Sequence, residues 1–240
     1  MHPSSNLPSL HRSSMTKVRQ KLAMKKITIT SLQATVGSLS APSKMPCHGF
    51  SLPAKDCKVG SKLRLSDKST CSSCYALKGR YVFPNVQNAL KSRLDKLKSM
   101  TSNKWADSMT DLIFRKEKSG YFRWHDSGDL QSLEHLEAIA KVADSLPNIK
   151  FWLPTREYKT VKSYIDKHGS FPSNLTVRLS AYFKQSAPPT ETADKLDAVC
   201  STVGYKASKH ICPSGQQGNQ CLDCRACWNR SVANVDYPLH

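Results

Sequence analysis

Ile149-Lys-Phe-Trp-Leu-Pro-Thr-Arg-Glu-Tyr158 is an apolar run that ends in polar residues, where a helical pattern begins. The same order comes before it, with a strand at Gly120-Tyr-Phe-Arg-Trp124 and an amphipathic helix over 130–146. It is repeated afterwards, because a helix over 158–167 leads to a third strand at 175–182. Strands that alternate with helices about every thirty residues are typical of β-α-β units in a parallel sheet. The sequence therefore predicts an α/β fold with a partial parallel (β/α) barrel-like core.

The flanking segments predict further elements around this core. Residues 85–100 and 105–115 carry apolar side chains at helical spacing, which predicts two amphipathic helices. Lys26-Ile-Thr-Ile-Thr-Ser31 alternates apolar and polar residues and predicts a short strand. Residues 1–26 are basic and serine-rich and are interpreted as a disordered basic arm. The rest of the chain, residues 27–240, is then expected to form a single α/β domain.

Eight of the nine cysteines fall into two groups of four, one near each end of the chain. Four thiolates are what one tetrahedral zinc ion or one cubane iron–sulfur cluster requires. The second group contains a C-x2-C-x2-C run, a spacing typical of bacterial ferredoxins. We therefore expect an iron–sulfur domain with one or two clusters of the 4Fe-4S type, and zinc is the alternative, above all at the first group. The expected metal ligands are Cys47, Cys57, Cys71 and Cys74 in the first group and Cys212, Cys221, Cys224 and Cys227 in the second.

The chain shows no secretory signal and no apolar run as long as a membrane span. We expect a cytoplasmic protein, in the host cytoplasm if a phage encodes it, with no membrane partner. In a reducing cytoplasm clustered cysteines bind metal, and a disulfide framework is the alternative. The ninth cysteine, Cys200, is expected to be a small, buried apolar residue.

The formal net charge is +18, with 36 lysine and arginine residues against 18 acidic residues. A charge of this size attracts polyanions, of which nucleic acid is the usual one. The densest basic stretch lies on the predicted helices, so residues 91–118 are predicted to bind nucleic acid; a solvated helix face is the alternative. The side chains expected to point outward there are Lys91, Arg93, Lys96, Lys98, Lys104, Arg115, Lys116 and Lys118.

Polar residues follow each predicted strand, at the sheet edge where parallel α/β folds collect functional groups. Asp129 and Thr155 are each expected to cap the helix that follows. The side chains predicted to be catalytic are His125, Asp126, Arg156 and Glu157. Those predicted to contact a cofactor, because they directly follow Cys74 or lie close to it, are Tyr75, Lys78 and Arg80.

Two segments, Met45-Pro-Cys-His48 and Cys71-Ser-Ser-Cys-Tyr-Ala-Leu-Lys-Gly-Arg-Tyr81, resemble a phage and mobile-element family called the gene product 88 domain. The resemblance continues through Phe122-Arg-Trp-His-Asp-Ser-Gly-Asp129, Trp152-Leu-Pro-Thr-Arg-Glu-Tyr158 and the final cysteine-rich segment. It covers most of the chain from about Lys44 onward. It implies a phage or mobile-element setting and no particular reaction.

More distantly, the layout resembles radical S-adenosylmethionine enzymes, which bind a cluster near the start of a partial parallel barrel and often add a second near the carboxyl end. The resemblance implies S-adenosylmethionine as a cofactor. Those enzymes use C-x3-C-x2-C, whereas position 67 here, four residues before Cys71, is Asp. Four cysteines at the first site would occupy every iron, so little or no cleavage of S-adenosylmethionine is expected.

Three functions follow from these observations. The first is an iron–sulfur protein that binds nucleic acid and acts on it. The second is an iron–sulfur, Mg²⁺-dependent nuclease in which Asp129, Glu157 and Lys159 supply a D…E-x-K set. The third is a non-enzymatic module in which zinc sites staple a nucleic-acid-binding surface.

Overall fold

The structure is a computed structural model, and it describes residues 27–239. The predicted arm over 1–26 lies outside the described residues. One six-stranded sheet organises the chain, with all strands parallel and in sequential order. The strands are β1 (Gly49–Phe50), β2 (Tyr121–Trp124), β3 (Lys150–Thr155), β4 (Leu175–Ser180), β5 (Val199–Val203) and β6 (Asn234–Tyr237). The parallel α/β architecture is confirmed, and β1 and β6 are the edge strands of this sheet.

Helices cover one face of the sheet. The helices among the described residues are α1 (Ile29–Val36), α2 (Lys58–Leu63), α3 (Pro84–Ser99), α4 (Ser102–Lys116), α5 (Leu133–Ser145), α6 (Tyr158–His168) and α7 (Thr190–Lys195). All except the short α2 contribute to the layer on this face. Helix α4 packs against α1 and α5, and α5 packs against α6. The main core lies between this layer and the alternate strand residues that face it, such as Phe122, Trp124 and Phe151, each fully buried.

The opposite face of the sheet carries a smaller apolar cluster that includes Trp152 and Val235. The turn Ala226–Trp228 covers this face and contacts β3 and β4. The indole N–H of Trp228 donates to the carbonyl oxygen of Phe122 at 2.8 Å, and its ring centroid lies 5.3 Å from that of Trp152. The carboxyl-terminal cysteine segment is therefore part of the sheet's second layer.

The elements from α3 to β4 agree with the prediction, whereas β1, α2, α7, β5 and β6 were not predicted. The predicted strand over 26–31 is wrong, because α1 begins at Ile29 and Thr28 accepts a hydrogen bond from Ser31 N–H at its start. Leu32 and Val36 are four residues apart and both buried, which favours the helix. Cys200 is 1% exposed in the main core, as predicted. Among the described residues, no helix is long and apolar enough to span a membrane.

Candidate functional site

Cys57, Cys71 and Cys74 converge on the short helix α2. A Cβ atom added to Gly60 would lie 3.7 Å from Sγ of Cys57 and 3.6 Å from Sγ of Cys71, so both sulfurs reach the same spot on the helix. Burial raises the pKa of the Cys57 thiol, and the negative charges of Asp129, Cys74 and Cys71 raise it further. A nearby cation would stabilise the thiolates of Cys57 and Cys71, whose ionisation burial and the neighbouring negative charges disfavour.

Hydrogen bonds hold this cysteine loop across the carboxyl ends of the central strands. The N–H of Val59 donates to Oε1 of Glu157, just beyond β3, at 2.8 Å. The N–H of Thr70 donates to the carbonyl oxygen of Tyr182, just beyond β4, at 3.0 Å. The three-cysteine site therefore lies at the sheet edge where the sequence places its polar residues.

Asp129 ties the ends of β2 and β3 together beside this site. Its Oδ1 accepts from the Thr155 hydroxyl at 2.6 Å and from Leu130 N–H at 2.8 Å, and its Oδ2 accepts from Arg156 N–H at 2.9 Å. Burial raises its pKa to about 6, against the lowering effect of these hydrogen bonds.

The expected capping roles of Asp129 and Thr155 are therefore wrong. Helix α5 begins three residues later than its predicted start, and Ser132 caps it by accepting from His135 N–H. Glu157 is the N-cap residue of α6. The reason is that Asp129 and Thr155 bond each other between strands.

Three of the four predicted catalytic residues lie beside the three-cysteine site. Glu157 contacts its loop directly. Burial raises the pKa of Cys71, and the guanidinium of Arg156 lowers it, which places Arg156 beside that sulfur. Nε of Arg156 is buried and has no hydrogen-bond partner among the described residues. Oδ2 of Asp126 accepts from the Tyr81 hydroxyl at 2.7 Å.

His125 is turned into the helix layer instead. It is 3% exposed, and its ring centroid lies 5.3 Å from that of His135 on α5. Burial lowers its pKa well below the ordinary value, and His135 and Arg123 lower it further. Its catalytic role stays a prediction, since nothing places it against the cysteines.

The predicted cofactor contacts follow Cys74 along the loop. The Tyr75 hydroxyl donates to the carbonyl oxygen of Asp126, while 57% of the residue's surface is exposed. Lys78 and Arg80 are exposed. Lys78 and Arg80 could therefore contact a ligand with their charged groups, and Tyr75 with its ring, because its hydroxyl is already hydrogen-bonded.

Cys47 belongs with the second cysteine group in space, although it is near the first in sequence. It shares a buried cluster with Cys212, Cys224 and Cys227. Burial raises its pKa to about 12, and Cys221 is among the charges that contribute. The two-by-four division of the cysteines is therefore corrected to three and five. The physical reason is the strand β1, which lies between Cys47 and Cys57 in the chain. Cys47 precedes this strand and Cys57 follows it, so the two cysteines lie at its opposite ends.

Arg178 on β4 organises the backbone of the second cysteine segment. It is fully buried, and its five N–H donors all bond to backbone carbonyl oxygens at 2.7 to 2.9 Å. The acceptors belong to Cys200, Ala226, Cys227, Asn229 and Val232. Burial lowers the pKa of Arg178, while Tyr237, Cys227 and Cys200 favour its charge. The segment is thus folded around one guanidinium.

Arg123 on β2 lies between the two cysteine sites. Its guanidinium is 4.4 Å from the centre of the Trp152 ring and 3.5 Å from the Tyr75 hydroxyl oxygen. Burial raises the pKa of the Cys47 thiol, and the positive charge of Arg123 lowers it in part. Arg123 therefore contacts the residue that follows Cys74 and acts electrostatically on Cys47 in the second group.

The cysteines suit a cluster in donor type. All nine are free thiols. Within residues 27–239, no three His, Cys, Asp or Glu side chains are arranged to hold a single metal ion. Thiolates are the ligands that both iron–sulfur clusters and zinc take.

The basic helices differ from their predicted surface. Arg93 is 6% exposed and donates from Nε to the carbonyl oxygen of Ser38 at 2.8 Å, so its outward placement is wrong. Lys91 pairs with Asp95 at 2.7 Å, and Arg115 pairs with Asp111 at 2.6 Å. Part of the charge predicted to meet phosphates is already paired within the helices.

Three residues that shape the sites were missed from the sequence. Arg178 could have been found, because a charge inside the apolar run Leu175-Thr-Val-Arg-Leu-Ser180 needs a buried partner. Gly60 and Arg123 gave no such signal, because their importance depends on neighbours that are distant in sequence.

A family model described as gene product 88 matches residues 13–230. No curated protein and no solved structure matches the chain.

Proposed function

The chain belongs to the gene product 88 family, and we propose that it is an iron–sulfur protein whose first cluster keeps one corner open for a small-molecule ligand. The observation that carries this proposal is the separation of Cys47 from Cys57, Cys71 and Cys74. A cubane has four corners, so three thiolates leave one iron without a protein thiolate.

Cys57, Cys71 and Cys74 would hold this first cluster. Gly60 supports the proposal, because any larger residue there would occupy space beside two of the sulfurs. When bound together with S-adenosylmethionine, such a cluster supplies the electron for radical chemistry. The sequence-based expectation of little S-adenosylmethionine cleavage assumed Cys47 as a fourth ligand, and the position of Cys47 removes that assumption.

The protein's own groups at this site suit an anionic, polar ligand. Arg156 brings a guanidinium with an unpaired, buried Nε to the sulfur of Cys71. Guanidinium groups bind carboxylates with two parallel hydrogen bonds. Arg156 would therefore orient the carboxylate of a ligand that enters the open corner.

The second site offers five thiols, one more than a cubane requires. The C-x2-C-x2-C run supports a cluster with four protein ligands, and zinc remains the alternative there. Arg178 would fix the run before any metal arrives, because it bonds the carbonyl oxygens of Ala226 and Cys227. This cluster would have no open corner for a ligand.

The nuclease hypothesis has weaker support. Oxygens of Asp129 and Glu157 already accept hydrogen bonds from the protein, which competes with Mg²⁺. Lys159 is exposed at the start of α6.

Iron and sulfide quantitation on oxygen-free protein tests the proposal. We expect about eight iron atoms per chain and a brown protein with visible absorption, since each cubane holds about four. Cys74→Ser should remove about half of the iron, whereas the control Cys200→Ser should retain it. A colourless protein that holds stoichiometric zinc at both sites would refute the proposal.

The open corner needs a separate test. Adding S-adenosylmethionine to the dithionite-reduced protein should change the electron paramagnetic resonance signal of one cluster and release 5′-deoxyadenosine. Arg156→Gln should weaken the spectral change at limiting S-adenosylmethionine. An unchanged signal at saturating S-adenosylmethionine would mean that the corner is closed.

A further inference from the structure

Exposed aromatic side chains lie on the loop that carries the three cysteines or on the segment that pairs with it. Tyr75, Phe83 and Phe183 are 57%, 54% and 44% exposed. Large aromatic side chains usually bury most of their surface. We call the loop residues 55–83 and 183–184 the entrance rim.

Contacts join the two parts of the entrance rim into one surface. Ser69 forms an antiparallel bridge with Phe183, and Nζ of Lys184 donates to Oγ of Ser72 at 3.1 Å. Within the longer part, the turn Tyr75–Leu77 contacts both the turn Ala54–Asp56 and the turn Gly79–Val82. The aromatic side chains are therefore displayed around a single site.

The entrance rim is also strongly basic. Six of its cations are exposed, and none of them forms an ion pair with a carboxylate of residues 27–239. These six are Lys55, Lys58, Lys62, Lys68, Lys78 and Arg80. On the helix layer some cations pair with neighbouring carboxylates, as Lys91 and Lys162 do, whereas Lys98 and Lys104 have no ion pair with a carboxylate of residues 27–239. The entrance rim differs from that layer because it combines unneutralised charge with exposed aromatic rings.

We propose that the entrance rim binds single-stranded nucleic acid. Aromatic rings stack on unpaired bases and interleaved cations hold the phosphates, a combination typical of single-strand binding surfaces. A duplex would hide its bases from these rings. The inference moves the nucleic-acid contact from residues 91–118 to the rim, and it rests on the proposed function in naming what the open cluster would act on.

Fluorescence anisotropy with labelled oligonucleotides of about twelve residues tests this on the anaerobically purified protein. Single-stranded DNA and RNA should both bind more tightly than the matched duplex. Phe83→Ala and Phe183→Ala should each weaken single-strand binding about tenfold, the loss of one stacked base. The control Phe114→Ala removes a ring that is 64% exposed on α4, outside the rim, and should leave binding unchanged.

The charge component has its own readout. Lys78→Ser with Arg80→Ser should reduce the slope of log affinity against log salt by about 1.4, because each lost phosphate contact on a single strand contributes about 0.7. Lys98→Ser with Lys104→Ser on α3 and α4 is the matched control and should leave the slope unchanged.

Tighter binding of the duplex, no binding at all, or equal losses in the rim and helix variants would overturn the inference. Iron and absorbance measured on the same preparation separate it from the proposed function. Iron-loaded protein that fails to bind single strands would refute only the nucleic-acid role of the entrance rim. Colourless protein that binds single strands through the rim would refute only the proposed iron–sulfur clusters.

Discussion

Replacing Arg178 with methionine should detach the second cysteine segment from the sheet. Methionine fills a similar volume but has no donor, so five backbone carbonyl oxygens lose the guanidinium. The carbonyl oxygens of Ala226 and Asn229 keep a backbone N–H donor. Those of the buried residues Cys200 and Cys227 cannot simply turn to water.

An unsatisfied buried carbonyl costs roughly 1–3 kcal/mol, which gives roughly 2–6 kcal/mol for two. Removing a buried charge recovers part of this, because the guanidinium no longer has to be desolvated. We therefore expect a net loss of about 2–4 kcal/mol, a sizeable share of the roughly 5–15 kcal/mol that holds a typical domain together. Arg178→Lys keeps the charge but has only three donors, so its loss should be smaller.

Urea unfolding at neutral pH measures this loss, and limited trypsin digestion locates it. Cleavage after Arg225 should become faster than in the unmodified protein, since that residue lies in the released segment. The control Arg230→Met removes a half-buried pair with Asp197 and should cost at most about 1 kcal/mol. If Arg178→Met costs no more than Arg230→Met, the segment is not held by this guanidinium.

Three further results are expected. Gly60→Ala should lower iron content, because its methyl group would lie 2.9 Å from Cβ of Cys57; the control Gly215→Ala meets nothing within 4 Å, and equal iron in both would contradict the role of Gly60. Gly128→Ala should cost about 3 kcal/mol or more in urea unfolding, since its φ is +79° and its methyl would meet the Leu52 carbonyl oxygen at 2.6 Å. Gly169→Ala, with φ +80° and open space, should cost about 1–2 kcal/mol, and equal losses would mean that the Leu52 loop yields. Burial lowers the pKa of His135 to about 3. Between this value and the ordinary histidine pKa, the unfolded chain binds a proton at this residue and the folded chain does not. Stability should fall below about pH 6.5 by about 1.4 kcal/mol per pH unit for this residue, and an unchanged slope in His135→Gln would assign the effect to another group.

The long helices and central strands could be predicted because their apolar spacing reports which face is buried. Leu136 and Ile139 on α5, three residues apart, are both fully buried, as that spacing requires. The strand β1 could not be found in this way, since two residues are too few to show a periodic pattern.

The division of the cysteines could not be predicted for the same reason. Nine residues separate Cys47 from Cys57 in the chain, and nothing in that spacing indicates that a strand between them places them at different sites. Arg93 illustrates a second limit. Its charge predicts exposure, but packing of α1 over α3 buries it, and the carbonyl oxygen of Ser38 satisfies its Nε.

The position of Cys47 also bears on how the protein is made. Synthesis proceeds from the amino end, and domains begin to fold while the chain is still emerging from the ribosome. Cys57, Cys71, Cys74 and the strand ends that hold their loop have all been made once Tyr182 has been added. The four sulfurs grouped with Cys47 come later, so a nascent chain halted before Cys212 would contain one complete thiol site and a single sulfur of the other. The two sites would therefore be completed in a fixed order. The three-cysteine site would have all its thiols first, and the second site, which joins both ends of the polypeptide, would be completed last.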